Sequence, residues 1–580
     1  MSKNAEVADR LEEFADILAA QDVEFKPRAY RRAAQNVRDY PEPVEDLVAD
    51  GQDAVEEIEG VGESIAEKIV EYVETGEISE LEELRAELPA DVEELTAVEG
   101  VGPKTVGKLY RELGIQTLDD LERAARNHEI RVVEGFGEKT EQNILEHIPF
   151  AREAQERQLL GDARPLGEEV RDYLDSRDGV AACEVAGSLR RWRATIGDVD
   201  VLAGSDDGEA VIDAFTGWDR ATEVIEAGTN KASIRIGDVR VDLRVVVPDE
   251  FGSALQYFTG SKDHNIRLRN YAIDRGMKVN EYGVFDVSDI DDPDAGQRVG
   301  ERVAGETEAS VYEALDLPLM APELREDRGE IQAARDGALP TLVEEADVRG
   351  DLHLHTDWSD GNNTIAEMVA GATEFGHEYI CISDHATGPG IVSGVEDDGL
   401  VEEMDAVRDV AEDADIDVLT GVEANIDADG GVTVADDVLA DLDVVTASIH
   451  SGMGDGGEAA TDRIVTAIEH PSVDVIGHPT TRLINRRPAL DIDVEAIATA
   501  AADNDVALEV NANPARLDLS GSAVKTAIEQ GAKIAINTDA HSPAEYRNVV
   551  YGVHTARRGW AESEHVITTW PIDDLRAFLH

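Results

Sequence analysis

Gly187-Ser188-Leu189-Arg190-Arg191-Trp192-Arg193-Ala194-Thr195-Ile196-Gly197-Asp198-Val199-Asp200-Val201-Leu202 is the stretch on which the reading of the chain turns. Gly-Ser closes the apolar run Val180 to Ala186 and opens a helical turn, so backbone N–H groups, the Ser188 hydroxyl and the cations Arg190 and Arg191 can face a phosphate. Asp198 and Asp200 then sit two apart on a strand. Period-two alternation puts both carboxylates on one face, within reach of a pair of hard divalent ions. Asp-x-Asp recurs by chance in a chain this acidic, as at Asp491 to Asp493, so the pair alone says little. The next apolar segment makes the difference. In Val239-Arg240-Val241-Asp242-Leu243-Arg244-Val245 the aliphatic side chains share one face, and Arg240, Asp242 and Arg244 share the other, which supplies a third carboxylate.

This set resembles the palm of the family X DNA polymerases, whose Gly-Ser, Asp-x-Asp and Arg-x-Asp-x-Arg elements match position by position. The resemblance implies that Asp198 and Asp200 hold two Mg²⁺ or Mn²⁺ ions, and that Asp242 helps activate a primer 3′-hydroxyl. It also implies that Gly187, Ser188 and Arg191 bind the triphosphate of a dNTP. It extends to Tyr257-Phe258-Thr259-Gly260-Ser261, followed by Asn265 and Arg269. There the family's aromatic pair, closed by Gly260, lies along the sugar and disfavours a 2′-hydroxyl; Asn265 contacts the incoming nucleotide and Arg269 the template side.

Composition bounds the remainder. A chain of 580 residues should hold several domains with cores of their own. Asp and Glu number 125 against 52 Lys and Arg, a formal charge of −73, yet 42% of residues are hydrophobic and periodic segments are sustained, which excludes a disordered acidic chain. The salt-filled cytoplasm of a halophilic archaeon accounts for this balance. At molar salt the Debye length is about 3 Å, so repulsion from nucleic acid is largely screened. Cys183 and Cys381 fall in separate apolar strands and read as buried thiols in a reducing compartment, with no disulfide. No apolar run approaches the roughly 20 residues needed to span a bilayer, so a cytoplasmic monomer without a membrane partner is expected.

Upstream, Val7, Leu11, Phe14 and Leu18 repeat at helical spacing, and Ile58-Glu59-Gly60-Val61-Gly62 then opens a second helical pattern. A Gly-h-Gly hairpin between two helices presents backbone N–H groups to DNA phosphates without reading sequence. The hairpin recurs at Gly100-Val101-Gly102 and at Gly135-Phe136-Gly137. Residues 1–82 resemble the lyase domain of the same polymerase family and 83–150 its fingers. By that resemblance Lys68 is the Schiff-base lysine and Lys26 and Tyr30 are DNA contacts. Ser64 and Glu80 replace two lysines the family uses on a 5′-phosphate, and Glu67 beside Lys68 favours its charged form.

Residues 151–245 read as the palm, 246–318 as the thumb, and 319–347, rich in Pro, Glu and Asp, as a linker. Of 14 histidines, 11 lie beyond residue 350. There seven apolar strands, near 349–355, 379–384, 417–423, 443–449, 473–477, 505–511 and 532–538, alternate with helical patterns and read as a barrel with chemistry at its strand ends. Six of the seven ends supply a His or an acid: His353 and His355, His385, Glu423, His450, His478, and Asp539 with His541. The spacing resembles the polymerase and histidinol phosphatase (PHP) domain. That resemblance implies up to three Mn²⁺ or Zn²⁺ ions: one held by His353, His355, Glu423 and Asp539, a second by Glu423, His450 and His478, and a third by Asp360, His385 and His541. Asp360 stands where many relatives have histidine, and its oxygen favours Mn²⁺.

The fold expected is a multidomain α+β polymerase with helix-hairpin-helix domains, a nucleotidyltransferase palm and a thumb, followed by a (β/α)7-type barrel. The function expected is a DNA-directed repair polymerase acting on gapped or primer–template DNA, with a metal-dependent nuclease that removes 3′-terminal nucleotides or cuts abasic sites. Two alternatives have discriminating signs. A small-molecule phosphoesterase tethered to a DNA-binding module would not need three palm carboxylates and the Tyr-Phe-Thr-Gly-Ser segment. A non-catalytic DNA-end scaffold would not leave barrel ligands open to solvent.

Overall fold

The computed structural model describes all residues except 1–2, 24–25, 41–42, 59, 99, 156, 294, 389–390, 392, 454–455 and 580, and only the backbone of 5, 39, 93, 150 and 153–155. Glu59 and Glu99, which precede the first two hairpins, thus lie outside the described residues.

The described residues up to 155 form helices and their connections, and one apolar core runs from Val7 through Phe14, Ile69 and Leu109 to Ala151. That core passes without a break across residue 82. Helix Lys3–Ala20 approaches helix Pro103–Leu113 so closely that a Cβ at Gly107 would stand 1.8 Å from the Ala20 carbonyl oxygen. Only glycine allows that contact.

The palm is a five-stranded sheet in the order Val180–Val185, Val199–Ser205, Val239–Val246, Lys231–Ile236, Glu223–Ala227. Strand Val239–Val246 alternates as its sequence predicts: Val239, Val241, Leu243 and Val245 are buried, while Arg240 and Arg244 are exposed. Its parallel pairing with Val199–Ser205 sets Asp242 beside Asp200. Asp198 is not on the strand; it lies in the bend just before Val199.

The thumb combines helices Phe251–Thr259 and Lys262–Ile273 with a three-stranded antiparallel sheet, Met277–Asn280, Gly283–Asp286 and Glu301–Ala304. Its core includes Met320, Ile331 and Ala334, so 319–347 is no loose spacer. Within that segment Arg325 is fully buried, donating to the Met320 carbonyl and pairing with Glu308. Glu323, Glu326 and Asp327 of the same segment pair with Arg557, Arg191 and Arg267.

Seven parallel strands, Gly350–Asp351, Tyr379–Ile382, Asp417–Asn425, Val444–Ser448, Val475–Ile476, Ala507–Asn511 and Lys533–Asn537, follow one another in sequence order. A bridge from Leu354 to Ala540 brings the last strand back to the first, so the barrel is nearly closed. Helices such as Ile365–Phe375, Val494–Asp503 and Gly521–Glu529 lie between the strands, where the sequence shows helical patterns. Ser, Thr or Asp side chains cap several of them. The barrel also completes the palm, because Leu517, Ile484, Val550 and Tyr551 pack into the palm's own core.

Candidate functional sites

In the palm, Gly187 adopts φ 59° at the start of the turn Gly187–Arg190, and a Cβ there would lie 2.0 Å from Asp200 Oδ2. Glycine therefore lets the turn close over the carboxylates. Ligand oxygens of Asp198, Asp200 and Asp242 all lie within 4.8 Å of one another. Burial, with the charges of Asp198 and Asp242, pushes the Asp200 carboxyl up to about 7. Three crowded carboxylates at that distance repel one another and suit a divalent cation. Asp242 is oriented by its strand neighbour Arg240, whose Nε donates to Oδ1 at 3.0 Å, and by the Ser233 hydroxyl, which the sequence did not single out and which donates to the same oxygen.

The expected nucleotide ligands fare unevenly. Ser188 sits half-buried in the turn. Arg191 is anchored, its Nε donating to Glu326 Oε1 at 2.8 Å and its Nη1 to the Thr259 carbonyl at 2.8 Å, so it is not the free phosphate-facing cation expected. Arg190 is likewise taken by Glu308, at 2.7 Å. Tyr257 and Phe258 meet edge-on at 5.1 Å at the end of helix Phe251–Thr259. Asn265 does not point out to a nucleotide. Its amide nitrogen donates to the carbonyls of Tyr257 (2.7 Å) and Gly260 (3.1 Å), and its oxygen accepts from Gln256, so it holds the aromatic turn in place. Arg269 is exposed.

In the amino-terminal region, Gly60 and Gly100 take positive φ (74° and 83°), and Gly62 and Gly102 cap the helices that follow. Val61 and Val101 are buried in the core while nothing lies within 4 Å of a Cβ at Gly62, Gly100 or Gly102. The hairpins thus expose backbone and bury side chain, as phosphate contact requires. Lys26 is exposed at the start of its helix. Tyr30 corrects the expectation of a DNA contact: it is 6% exposed and stacked on Phe14 at 4.5 Å. Lys68 is largely buried, with Nζ 2.8 Å from Glu80, so its carboxylate partner is Glu80 and not Glu67. Burial works to lower its pKa, but Glu80 and Tyr30 outweigh it and raise it.

The barrel mouth gathers all nine expected ligands. Atoms of His353, His355 and Asp539 converge, as do those of His385, Glu423 and His450, and those of His355, Asp360, His385 and His541. Glu423 is the centre: Oε1 lies 2.9 Å from His478 and 3.1 Å from His450, and Oε2 lies 2.6 Å from His385 and 3.5 Å from His353. Nε2 of His353, both ring nitrogens of His355, Nδ1 of His385, Nε2 of His450 and both oxygens of Glu423 are buried without a hydrogen-bond partner. Buried polar atoms left so are costly unless something else satisfies them, and imidazole with carboxylate is a fitting donor set for Mn²⁺ or Zn²⁺. Burial opposes ionisation, yet the surrounding histidines hold Glu423 and Asp539 well below the ordinary carboxylate range. Burial, reinforced by His385 and His541, lowers His355 and keeps it neutral, the form that can ligate.

Sequence reasoning left the strand Ala507–Asn511 without a role, and it supplies the support beneath this cluster. Glu509, fully buried, accepts from His353 Nδ1 at 2.7 Å, the His478 backbone N–H at 2.6 Å and the Asn537 amide at 3.0 Å. Asn511 donates to Asp539 at 2.9 Å, and the Asn425 side-chain oxygen faces His450 Nδ1 at 2.8 Å. Such partners fix which ring nitrogen each histidine presents to a metal. The available signal was Glu and Asn at alternate positions of an otherwise apolar strand. Arg516, missed as well, brings Nε to 3.6 Å from Asp539.

Comparison with known proteins matches four stretches of the chain to described families. Residues 2–78 match a helix-hairpin-helix domain, 76–148 a SAM-like helix-hairpin-helix tandem, 254–326 the DNA polymerase beta thumb and 351–513 the PHP domain. The DNA polymerase/3′-5′ exonuclease PolX of Bacillus subtilis (strain 168) is 35% identical over 564 residues, covering 96% of each chain. DNA polymerase lambda of Rattus norvegicus is 25% identical over 56% of each chain. A probable phosphatase of Thermoanaerobacter sp. (strain X514) is 33% identical over 203 residues, 33% of this chain and 78% of its own.

Proposed function

The chain belongs to the family X DNA polymerases that carry a C-terminal PHP domain, and from that premise we propose that it extends DNA primers at the palm and degrades DNA 3′ ends at the barrel mouth. The observation that carries this reading is the presence of two separate ligand groups in one chain, the carboxylate triad behind the Gly-Ser turn and the nine-ligand cluster around Glu423. Asp198, Asp200 and Asp242 would hold Mg²⁺ or Mn²⁺, and the barrel ligands Mn²⁺ or Zn²⁺, with Asp360 weighting the choice to Mn²⁺. Bound there, divalent ions supply charge stabilisation to a phosphoryl group and its leaving oxygen.

The chain's own residues do the rest. Backbone N–H groups of the Gly187-Ser188 turn face the triphosphate. Ser233 and Arg240 occupy Oδ1 of Asp242 and leave Oδ2 to accept the proton of the primer 3′-hydroxyl. Asn265 presents the Tyr257-Phe258 pair to the sugar by holding its carbonyls. At the barrel, Glu509 and Asn511 hold His353 and Asp539 in register, and Arg516 offers a cation to a phosphate beside them.

Several finer assignments belong to the same proposal. The hairpin glycines grip gapped or primer–template DNA, the physiological task is repair, and the medium is the salt-rich cytoplasm of a halophilic archaeon. Abasic DNA is cut mainly at the barrel, because Glu80 and Ser64 tie the Lys68 ammonium down and keep it from acting as an amine nucleophile. The likeness of the barrel to a phosphatase favours one other reading, a small-molecule phosphoesterase. The deciding test is Asp198→Ala with Asp200→Ala against His353→Ala with His355→Ala, assayed for primer extension and 3′-end degradation at molar KCl. The first pair should abolish extension alone and the second degradation alone. A wild-type chain that cleaves small phosphomonoesters but leaves DNA untouched would decide for the phosphoesterase.

A further inference from the structure

The turn that the palm offers to a nucleotide is not supported by the palm alone. Trp192, the residue directly after Arg191, has left-handed backbone (φ 53°), which a tryptophan adopts only where its surroundings enforce it. The surroundings are a barrel helix, Val549–Arg558. His554 stacks on the Trp192 indole with centroids 3.5 Å apart and planes 5° from parallel, and Tyr551 meets it edge-on at 6.1 Å. The Arg164 guanidinium of the palm lies 4.2 Å from the same ring.

From the last turn of that helix, Arg558 donates to the Arg191 carbonyl and to Glu326 Oε1, 3.2 Å away. Glu326 is also the carboxylate that anchors Arg191 Nε. His554 is itself fixed: its Nδ1 lies 2.6 Å from Glu323, which takes Arg557 at 2.7 Å as well. Glu323 and Glu326 belong to the end of the thumb. One helix of the nuclease half therefore holds the backbone of the Gly-Ser-Leu-Arg-Arg-Trp turn from one side and, from the other, Glu326, the thumb carboxylate that anchors Arg191. Among the described residues, the ion-pair, hydrogen-bond and ring partners given above for His554 and Arg558 include none of the barrel's metal-ligand candidates.

We propose that helix Val549–Arg558 of the barrel sets the position of the nucleotide-binding turn, so that His554 and Arg558 are positioning residues for nucleotide addition although they lie in the nuclease half. The inference rests on the reading of the palm as a polymerase site. Carrying the turn on the barrel links the two halves at the point where a triphosphate would enter, and predicts that a lesion on this helix reaches the palm and spares the barrel chemistry.

The test uses the full chain, with KM for dNTP and kcat in primer extension measured beside Mn²⁺-dependent 3′-end degradation. A stacked aromatic pair contributes enough for an effect of about two- to tenfold. His554→Ala should raise KM for dNTP by that factor with degradation unchanged, and His554→Phe, which keeps a ring on Trp192, should restore it. If His554→Ala loses both activities, Arg558→Lys decides: it keeps the charge but not the fork that reaches the Arg191 carbonyl and Glu326 together, and should raise KM. A KM within wild-type error in His554→Ala, or in Arg558→Lys where that variant decides, overturns the proposal. So does a His554→Phe variant no better than His554→Ala. A wild-type chain that neither extends primers nor binds dNTP in equilibrium titration would instead remove the polymerase reading itself, and this inference with it.

Discussion

Glu509→Gln is the sharpest probe of the barrel, because it changes no expected metal ligand and almost no volume. All the partners of this carboxylate are donors: His353 Nδ1 and the Asn537 amide on Oε1, the His478 backbone N–H and the Asn511 amide on Oε2. A glutamine has one oxygen, so whichever way its amide turns, an NH₂ group must face donors. With nitrogen towards His478, two N–H groups collide at a site where the donor–acceptor distance is 2.6 Å, and a backbone N–H cannot reverse. With nitrogen towards His353, the imidazole must move its proton to Nε2, the atom that faces Glu423 and Asp539. Nε2 then has no lone pair for a metal. Either route forfeits about one hydrogen bond to a charged group, roughly 1.5–3 kcal/mol, which corresponds to about a 10- to 100-fold loss of metal affinity, the range expected for supporting partners of metal ligands. The assay is 3′-end degradation against Mn²⁺ concentration at molar KCl, with primer extension as control. The Mn²⁺ midpoint should rise by that factor while extension stays at the wild-type rate. An unchanged midpoint, or extension falling in parallel with degradation, would refute the reasoning.

Acid should loosen the junction between thumb, palm and barrel. Burial opposes it, but Arg325 and Arg190 bring Glu308 down to about 2, His554 and Arg557 do so for Glu323, and Arg558 and Arg191 for Glu326, against an ordinary value of 4.5. Because the folded values lie below the unfolded ones, this stabilisation is complete above about pH 4.5 and is lost as pH falls from there towards 2. Melting temperatures of wild type and Glu326→Gln should differ at pH 6 and converge towards pH 3; a constant difference would count against the ion-pair account. Lowering salt to about 0.1 M stretches the Debye length to about 10 Å and restores repulsion in a chain of charge −73, so circular dichroism should show loss of structure there, and an unchanged fold would argue against salt adaptation. Borohydride trapping of abasic DNA in EDTA should be weak in wild type and increase in Glu80→Ala, which frees the Lys68 ammonium; efficient wild-type trapping abolished by Lys68→Ala would reverse the ranking of the two cleavage routes.

What was legible in the sequence was whatever chemistry is local. Alternation along Val239–Val246 decided which side chains face the core and which face the site, since strand geometry sends neighbours to opposite faces. The same logic placed His353, His355, Glu423 and Asp539 at one barrel mouth, because parallel strands in sequence order bring their carboxyl ends together. The glycines of the hairpins and of the Gly-Ser turn were readable because each meets a backbone need within a few residues. Tertiary structure alone decided the partners. Arg191 and Asn265 have the right identities for binding a nucleotide, but Arg191 is anchored by Glu326, 135 residues away, and Asn265 spends its amide on its own turn. Tyr30 stacks on Phe14 because two helices pack there, which no local pattern specifies. Glu509 stands in an otherwise apolar strand; it is fully buried and tolerated because His353, His478 and Asn537, distant in sequence, converge on it with donors. A polar side chain's role depends on which donors and acceptors share its low-dielectric surroundings, and that neighbourhood exists only after the chain has folded.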